Sequence, residues 1–263
     1  MRRMPLIRIL GLALGWAVLV APASRAQDDP PGIDPTHYWT YQLPSPVFFP
    51  VDVRARDAFF TGFTPIFLDS LTRLANWVSK DFGPVSDTLI RYTWWNIRNK
   101  LPQLSSGIIT NQRGEFAVSL FNLEFMLVPA WKNQPQAAPP NVNHYLCYRA
   151  DGPMPSGTYH GFRDEWRTDF STLGPIEYVC APCWKEHGGL IYPPTDPLKY
   201  LSLYPIEPLS ENFSPFIQDQ FLSGFRLVKQ RRHEWVMLPS LFDVAPTATK
   251  TSMGSASANF STE

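Results

Sequence analysis

Polar and apolar residues alternate through Val51-Asp-Val-Arg-Ala-Arg56, the period of a strand with one buried face. Phe125-Met-Leu-Val128 and Tyr145-Leu-Cys-Tyr148 are short, unbroken runs of bulky side chains stopped by turn residues, as in strands covered on both faces. Gly107, Gly114, Gly152, Gly157, Gly161 and Gly188-Gly189 punctuate these runs. One segment has a different rhythm. Ile66, Phe67, Leu71, Leu74, Trp77 and Val78 recur at helical spacing with Asp69 in the first turn, which predicts a short helix within 65–80. The 27 prolines argue against long helices and for short strands joined by loops.

The pattern repeats along the chain. Glu124-Phe-Met-Leu-Val-Pro-Ala-Trp-Lys132, Glu177-Tyr-Val-Cys-Ala-Pro-Cys-Trp-Lys185 and Glu234-Trp-Val-Met-Leu-Pro-Ser-Leu-Phe242 share a Glu, an aromatic and a Pro five positions after the Glu. A basic residue precedes Tyr at His37-Tyr38, Arg91-Tyr92, His144-Tyr145 and Lys199-Tyr200, at intervals of 54, 53 and 55 residues. Four positions after the basic residue stand Tyr41, Trp95, Tyr148 and Leu203. Twenty positions after it stand Asp57, Asn111, Asp164 and Asp219, with Phe59, Trp166 and Phe221 two residues further on and Arg113 as the exception. Shared spacing in several columns predicts four tandem units at 36–89, 90–142, 143–197 and 198–244. In this register Arg73–Val78 reads as a strand, so 65–80 has two readings. Trp77, Trp94 and Trp95 read as core residues first. The Asp/Asn column marks a turn, because these side chains bond the backbone two residues on.

The chain opens with Arg2, Arg3 and Arg8, an apolar run from Ile9 to Ala21, and small residues at Ser24 and Ala26, the pattern of a secretory signal over 1–26. The run is too short to span a bilayer comfortably, so no membrane association is expected after cleavage. A linker at 27–35 and a disordered Ser/Thr/Ala tail at 245–263 complete the domain plan. Removing the leader's four Arg from 23 basic residues leaves 19 against 23 acidic, a net charge of about −4. That balance excludes a nucleic-acid partner of the usual basic kind. The expected location is secreted or periplasmic.

Cysteine carries the sharpest chemical inference. Cys147 falls in the column of Thr40, Trp94 and Ser202, and Cys180 in that of Ala75, Leu127 and Met237. One unit holds both cysteines and the others neither, which in an exported chain predicts a Cys147–Cys180 disulfide. Cys183 is then the odd thiol. Cys180-Ala-Pro-Cys183 also has redox spacing, and Cys180, Cys183 and His187, with His160, have zinc-like spacing. There is no GxSxG, no HExxH and no phosphate-binding Gly loop. His37, Arg91, His144 and Lys199 share one column, as do Glu124, Glu177 and Glu234, which suits structural pairing within each unit better than catalysis. No catalytic residue, metal ligand or cofactor site is therefore assigned.

Tyr145-Leu-Cys-Tyr148, Thr110-Asn-Gln-Arg-Gly114, Asp219-Gln-Phe221 and Tyr178-Val-Cys-Ala-Pro182 together resemble a family of exported bacterial repeats. Its units carry Cys-Tyr near the start, an Asp/Asn-Gln-Phe-Gly turn and a closing Leu-Cys-x-Pro. The likeness is clearest over 143–187. It implies an all-β secreted module and no particular activity. The expected architecture is all-β, with the four units forming β-barrels or sandwiches, or alternatively a four-bladed propeller. The paired arrangement is favoured because no link between first and last units is visible. The expected role is non-enzymatic binding of a protein or cell-surface partner, with carbohydrate binding by exposed aromatics and a redox or zinc site as alternatives.

Overall fold

The structure, a computed structural model, describes residues 31–32, 35–81, 90–132, 142–153, 159–165, 168–207, 216–222, 226–227 and 232–244. The leader at 1–26, the tail at 245–263 and most of the linker lie outside the described residues. All thirteen elements among the described residues are strands: β1 (His37–Arg56), β2 (Thr64–Lys80), β3 (Ile90–Asn111), β4 (Gly114–Lys132), β5 (His144–Asp151), β6 (Tyr159–Arg163), β7 (Thr168–Thr172), β8 (Tyr178–His187), β9 (Leu190–Tyr192), β10 (Tyr200–Pro205), β11 (Phe216–Asp219), β12 (Arg226–Leu227) and β13 (Arg232–Val244). The expected helix is not formed, since 64–80 is one strand. Its pairing with β3 slips between Leu68 and Ser70 and again between Leu71 and Arg73. Each slip resets the alternation, so buried residues recur at three-residue spacing and imitate a helical stripe.

The expectation of short strands holds for β5 to β12 but not for the first four strands. β1, β2, β3 and β4 run for 17 to 22 residues. Three prolines of β1 are accommodated at irregularities, whereas Pro129, Pro182 and Pro239 stand within regular pairing. Pro44 and Pro46 lie where the β1–β2 register shifts between Gln42 and Val47, and Pro50 where it shifts between Phe48 and Val51, so ladder donors are not missed there.

The pairing order follows the chain and returns on itself. β1 pairs β2, β2 pairs β3, β3 pairs β4, β4 pairs β5, β5 pairs β8, β8 pairs β10, β10 pairs β13, and β13 pairs β1, all antiparallel. The expectation that nothing links the first and last units is corrected by Tyr38↔Met237 and Trp39↔Val236. Beyond this circuit the long strands take second partners. Arg54–Arg56 pairs β8, Val244 and its neighbours pair β3, and Ala130–Lys132 pairs β11.

Alternation then sorts the apolar side chains into two clusters. One face contributes Tyr38, Tyr92, Trp94, Tyr145, Cys147, Leu201 and Leu203 from the leading strands, and Ala75, Phe125, Leu127, Tyr178, Cys180, Trp235 and Met237 from the closing ones. The other face contributes Trp39, Tyr41, Trp95, Leu146, Tyr148 and Tyr204 to a larger cluster shared with the second layer. Both faces are covered, which explains why the strands read as continuous apolar runs. β10 departs from the sequence columns by one residue. Tyr200 lies in the outer cluster, whereas Tyr38, Tyr92 and Tyr145 lie in the inner one. A one-residue slip reverses every side chain, so Leu203, not Ser202, takes the inward place of Cys147.

Cys147 and Cys180 stand directly opposite on β5 and β8 and are bonded, as expected. The loop they close spans 33 residues. Replacing both with Ala is expected to lower unfolding stability by about 3–4 kcal/mol, the loop-closure value for that span. Denaturant titration of the oxidised protein against the variant measures it; equal midpoints would remove the disulfide from the stability of the fold.

Candidate functional site

The Asp/Asn column is where local turn and long-range packing meet. The Asp57 Oδ1 accepts from the backbone N–H of Phe59 (2.9 Å) and Phe60 (3.3 Å). Asn111 Oδ1 accepts from Arg113 N–H (2.7 Å), and Asp219 Oδ1 from Phe221 (2.8 Å) and Leu222 (2.9 Å). The expected turn role is therefore present at these three positions. The other side-chain atom of each residue binds an aromatic far along the chain. Tyr148 OH donates to Asp57 (2.6 Å), Tyr41 OH to Asp164 (2.5 Å), and Trp95 Nε1 to Asp219 (2.9 Å). Asn111 Nδ2 reverses the polarity and donates to Tyr204 OH (2.9 Å). The ring two residues on packs edge-to-face against the same aromatic, as Phe59 does on Tyr148 and Phe221 on Trp95.

At three of the four positions the residue after the Asp/Asn builds a second set of contacts. Gln112 meets His37 (2.6 Å) and Lys80. Glu165 pairs with Arg91 (3.1 Å) and Lys132. Gln220 meets His144 (2.7 Å), and beside it Lys185 is wholly buried, its ammonium 4.1 Å from the Tyr192 ring centroid and 5.0 Å from that of Phe221. Lys185 Nζ and Gln220 Oε1 have no hydrogen-bond partner among the described residues. Burial lowers the Lys185 amine to about 7 and holds the His144 imidazole well below its usual range, with Lys185 adding to the effect on His144.

At the fourth such position the residue after Asp57 is Ala58, with no side chain to reach across. An open cavity of about 380 Å³ lies there, lined by Arg56, Ala58, Phe60, Thr61, Trp184 and Tyr200 among others. Arg56 stacks on the Trp184 ring at 4.6 Å and on Phe63 at 5.4 Å. Burial pushes Asp57 up to about 6, against the opposing pull of Tyr148 and the turn N–H groups. Burial also raises Tyr200 to about 12, with Asp57 and Asp243 adding to it. This cavity is the candidate site.

The residues singled out in the sequence are distributed otherwise. Cys180 faces the inner cluster and Cys183 the outer one, because residues three apart on a strand point to opposite faces. The CxxC spacing therefore brings no two sulfurs together. Cys183 is buried, and burial pushes its thiol well above the ordinary range, opposite to a reactive thiolate. His187 contacts the Asp52 carbonyl and the Phe221 ring, while His160 contacts Asp81 and Arg113. No group of three metal-ligating side chains occurs among the described residues. The expected pairing of the Glu column with the His37 column within each unit is overturned: Glu124 pairs with Lys100, Glu177 with Arg149 and Glu234 with Arg73. Successive columns alternate between faces and meet different neighbours. Lys80, Lys132 and Lys185 were missed, although Lys132 and Lys185 both close the repeated stretches in sequence. Ala58 had a sequence signal that was missed, since it stands in the column of Gln112, Glu165 and Gln220; the Arg56–Trp184 stack had none, because it depends on pairing between β1 and β8.

Comparison with protein-family models, curated proteins and solved structures finds no match.

Two titrations test this chemistry. The folded state holds Asp57 near 6 against 3.8 for the free side chain, so it favours the protonated form. That contribution is complete below about 3.8, and is lost as pH rises through about 6, at an expected cost of about 3 kcal/mol. Asp57→Asn, the residue already present at Asn111, is expected to flatten the stability profile between these pH values and to raise stability at neutrality; a profile unchanged from wild type would contradict it. Lys185 is depressed to about 7 from 10.5, so stability is expected to rise as pH climbs between those values. Lys185→Met is expected to raise the unfolding midpoint at pH 7, with the gap closing near pH 10.5. A lower midpoint at pH 7 would show the ammonium to be stabilising.

Proposed function

We propose that the chain is an exported, non-enzymatic binding protein built from four copies of one β unit, closed into an eight-stranded antiparallel barrel with an outer layer of turns. The returning strand order supports the closed reading over a sandwich. The copied Asp/Asn turns, each docked on an aromatic two units away, support the repeat. They disfavour a propeller, in which each blade is a separate four-stranded sheet. Export rests on the leader pattern and suits the disulfide.

The interior of such a barrel is filled by Trp94, Phe125, Tyr178, Trp235 and the disulfide, so binding falls to the outer wall. The observation that carries the reading is the apolar bulge of β1. Phe48 is 75% exposed, and Phe49 and the nearby Phe67 are 38% and 42% exposed. Rings left in water on a Pro-flanked bulge are the kind of surface that meets a protein or cell-surface partner. The carbohydrate alternative has less support: Trp39, Trp94 and Trp95 are fully buried, and among the described residues the fully exposed rings are phenylalanines without a polar handle. The redox or zinc alternative is disfavoured by the opposite facing of Cys180 and Cys183.

A photo-crosslinking residue at Phe48, with a control at exposed Glu115, tests the proposal in the native exported fraction. A saturable adduct at 48 and none at 115 is expected. Equal labelling at both positions would overturn it.

A further inference from the structure

We infer that the cavity beside Ala58 is a binding site for a small organic carboxylate with a flat apolar body. The inference stands apart from the apolar bulge and does not depend on a macromolecular partner.

Three of the four Asp/Asn turns fill the space beside them with a long polar side chain: Gln112 against His37, Glu165 against Arg91, and Gln220 against His144. Ala58 ends at its methyl, and the facing residue of β10 is Tyr200, whose ring packs at 5.4 Å on Phe242. The space that the other turns occupy is open here, about 380 Å³. Its walls are flat and apolar where Trp184, Phe60 and Tyr200 line it. Its polar groups are the Arg56 guanidinium and the hydroxyls of Thr61 and Tyr200.

Arg56 sets the sign of the ligand. It is half-buried, held flat by Trp184 and Phe63, and makes no ion pair with a carboxylate among the described residues. Its neighbour Arg54 is different, with Glu186 at 3.0 Å. A stacked guanidinium keeps its edge donors available in a fork that matches a carboxylate. Asp57 also borders the cavity, but both its oxygens are held, one by Phe59 and Phe60 N–H and the other by Tyr148 OH. The carboxylate of a ligand therefore belongs at the Arg56 end, with its ring between Trp184 and Tyr200. A pocket of this size with a few convergent polar groups is the usual form of a small-ligand site.

The probes are benzoate and its neutral isostere benzamide, followed by the Trp184 indole N–H in two-dimensional NMR of the purified mature protein, the signal assigned by Trp184→Phe. Benzoate is expected to shift that resonance saturably, and benzamide to bind about tenfold or more weakly, the usual worth of a charge-assisted hydrogen bond. Arg56→Gln is expected to abolish the preference for benzoate. Ala58→Gln, which copies the other turns, is expected to fill the cavity and abolish the shift while leaving the thermal midpoint near that of wild type. No saturable shift in wild type, equal affinity for the two probes, or unchanged benzoate binding in folded Ala58→Gln would each overturn the assignment.

Discussion

The turns at Asp57, Asn111 and Asp219 hang on one kind of contact, a buried Asp or Asn that closes its own turn with one atom and holds a distant aromatic with the other. The apolar face that β1, β3, β5 and β10 turn away from the inner cluster carries Tyr41, Trp95, Tyr148 and Tyr204. Each brings a hydroxyl or indole N–H that would be costly to bury unpaired, about 1–3 kcal/mol. The turn residue supplies the partner, so the turn is drawn to that aromatic and to no other. Because the same side chain fixes the turn, local conformation and long-range docking cannot be lost separately. The contact tolerates a change of polarity, from carboxylate accepting at Asp57 to amide donating at Asn111, since either satisfies both atoms.

Burial makes the same contact a point of electrostatic tension. A carboxylate enclosed this way is held toward its protonated form, as at Asp57 and Asp219, even though each accepts several hydrogen bonds. The clusters next to the turns handle charge in different ways. Glu165 pairs with both Arg91 and Lys132, whereas Gln220 offers an amide to His144 and no bond to Lys185. The latter pair is accordingly driven toward neutrality, with two aromatic faces as the main company of the ammonium.

Strand content, the Asp/Asn turns and the disulfide were legible in the sequence because each rests on a local or repeated signal. Alternation marked Val51–Arg56, and two cysteines confined to one stretch pointed to each other. What was not legible depended on register. The bulges in β2 made a strand look helical, and the slip in β10 moved Tyr200 and Leu203 to faces that their columns did not suggest. The pairing of β1 with β13 joins residues almost 200 positions apart and leaves no local trace. Of the candidate cavity, only the short side chain at Ala58 could be read from its column; Arg56 and Trp184 meet only through the second pairing of β1 with β8.

If the units are copies, a residue present in all of them serves the architecture, and departures from the pattern are where a specific role has room to arise. Two departures stand out on physical grounds. Cys147 and Cys180 replace ordinary inner-face side chains in one unit and add a covalent tie without changing the packing plan. Ala58 does the reverse: it removes a side chain at the one turn whose neighbour is Tyr200 and leaves a cavity with a stacked cation on its rim. A buried void costs stability in proportion to the contacts it forfeits, whereas a cavity open to solvent costs less and remains available. That difference is why the gap at Ala58 is an opportunity for a ligand, while an equal gap at the buried Gln112 would only weaken the fold.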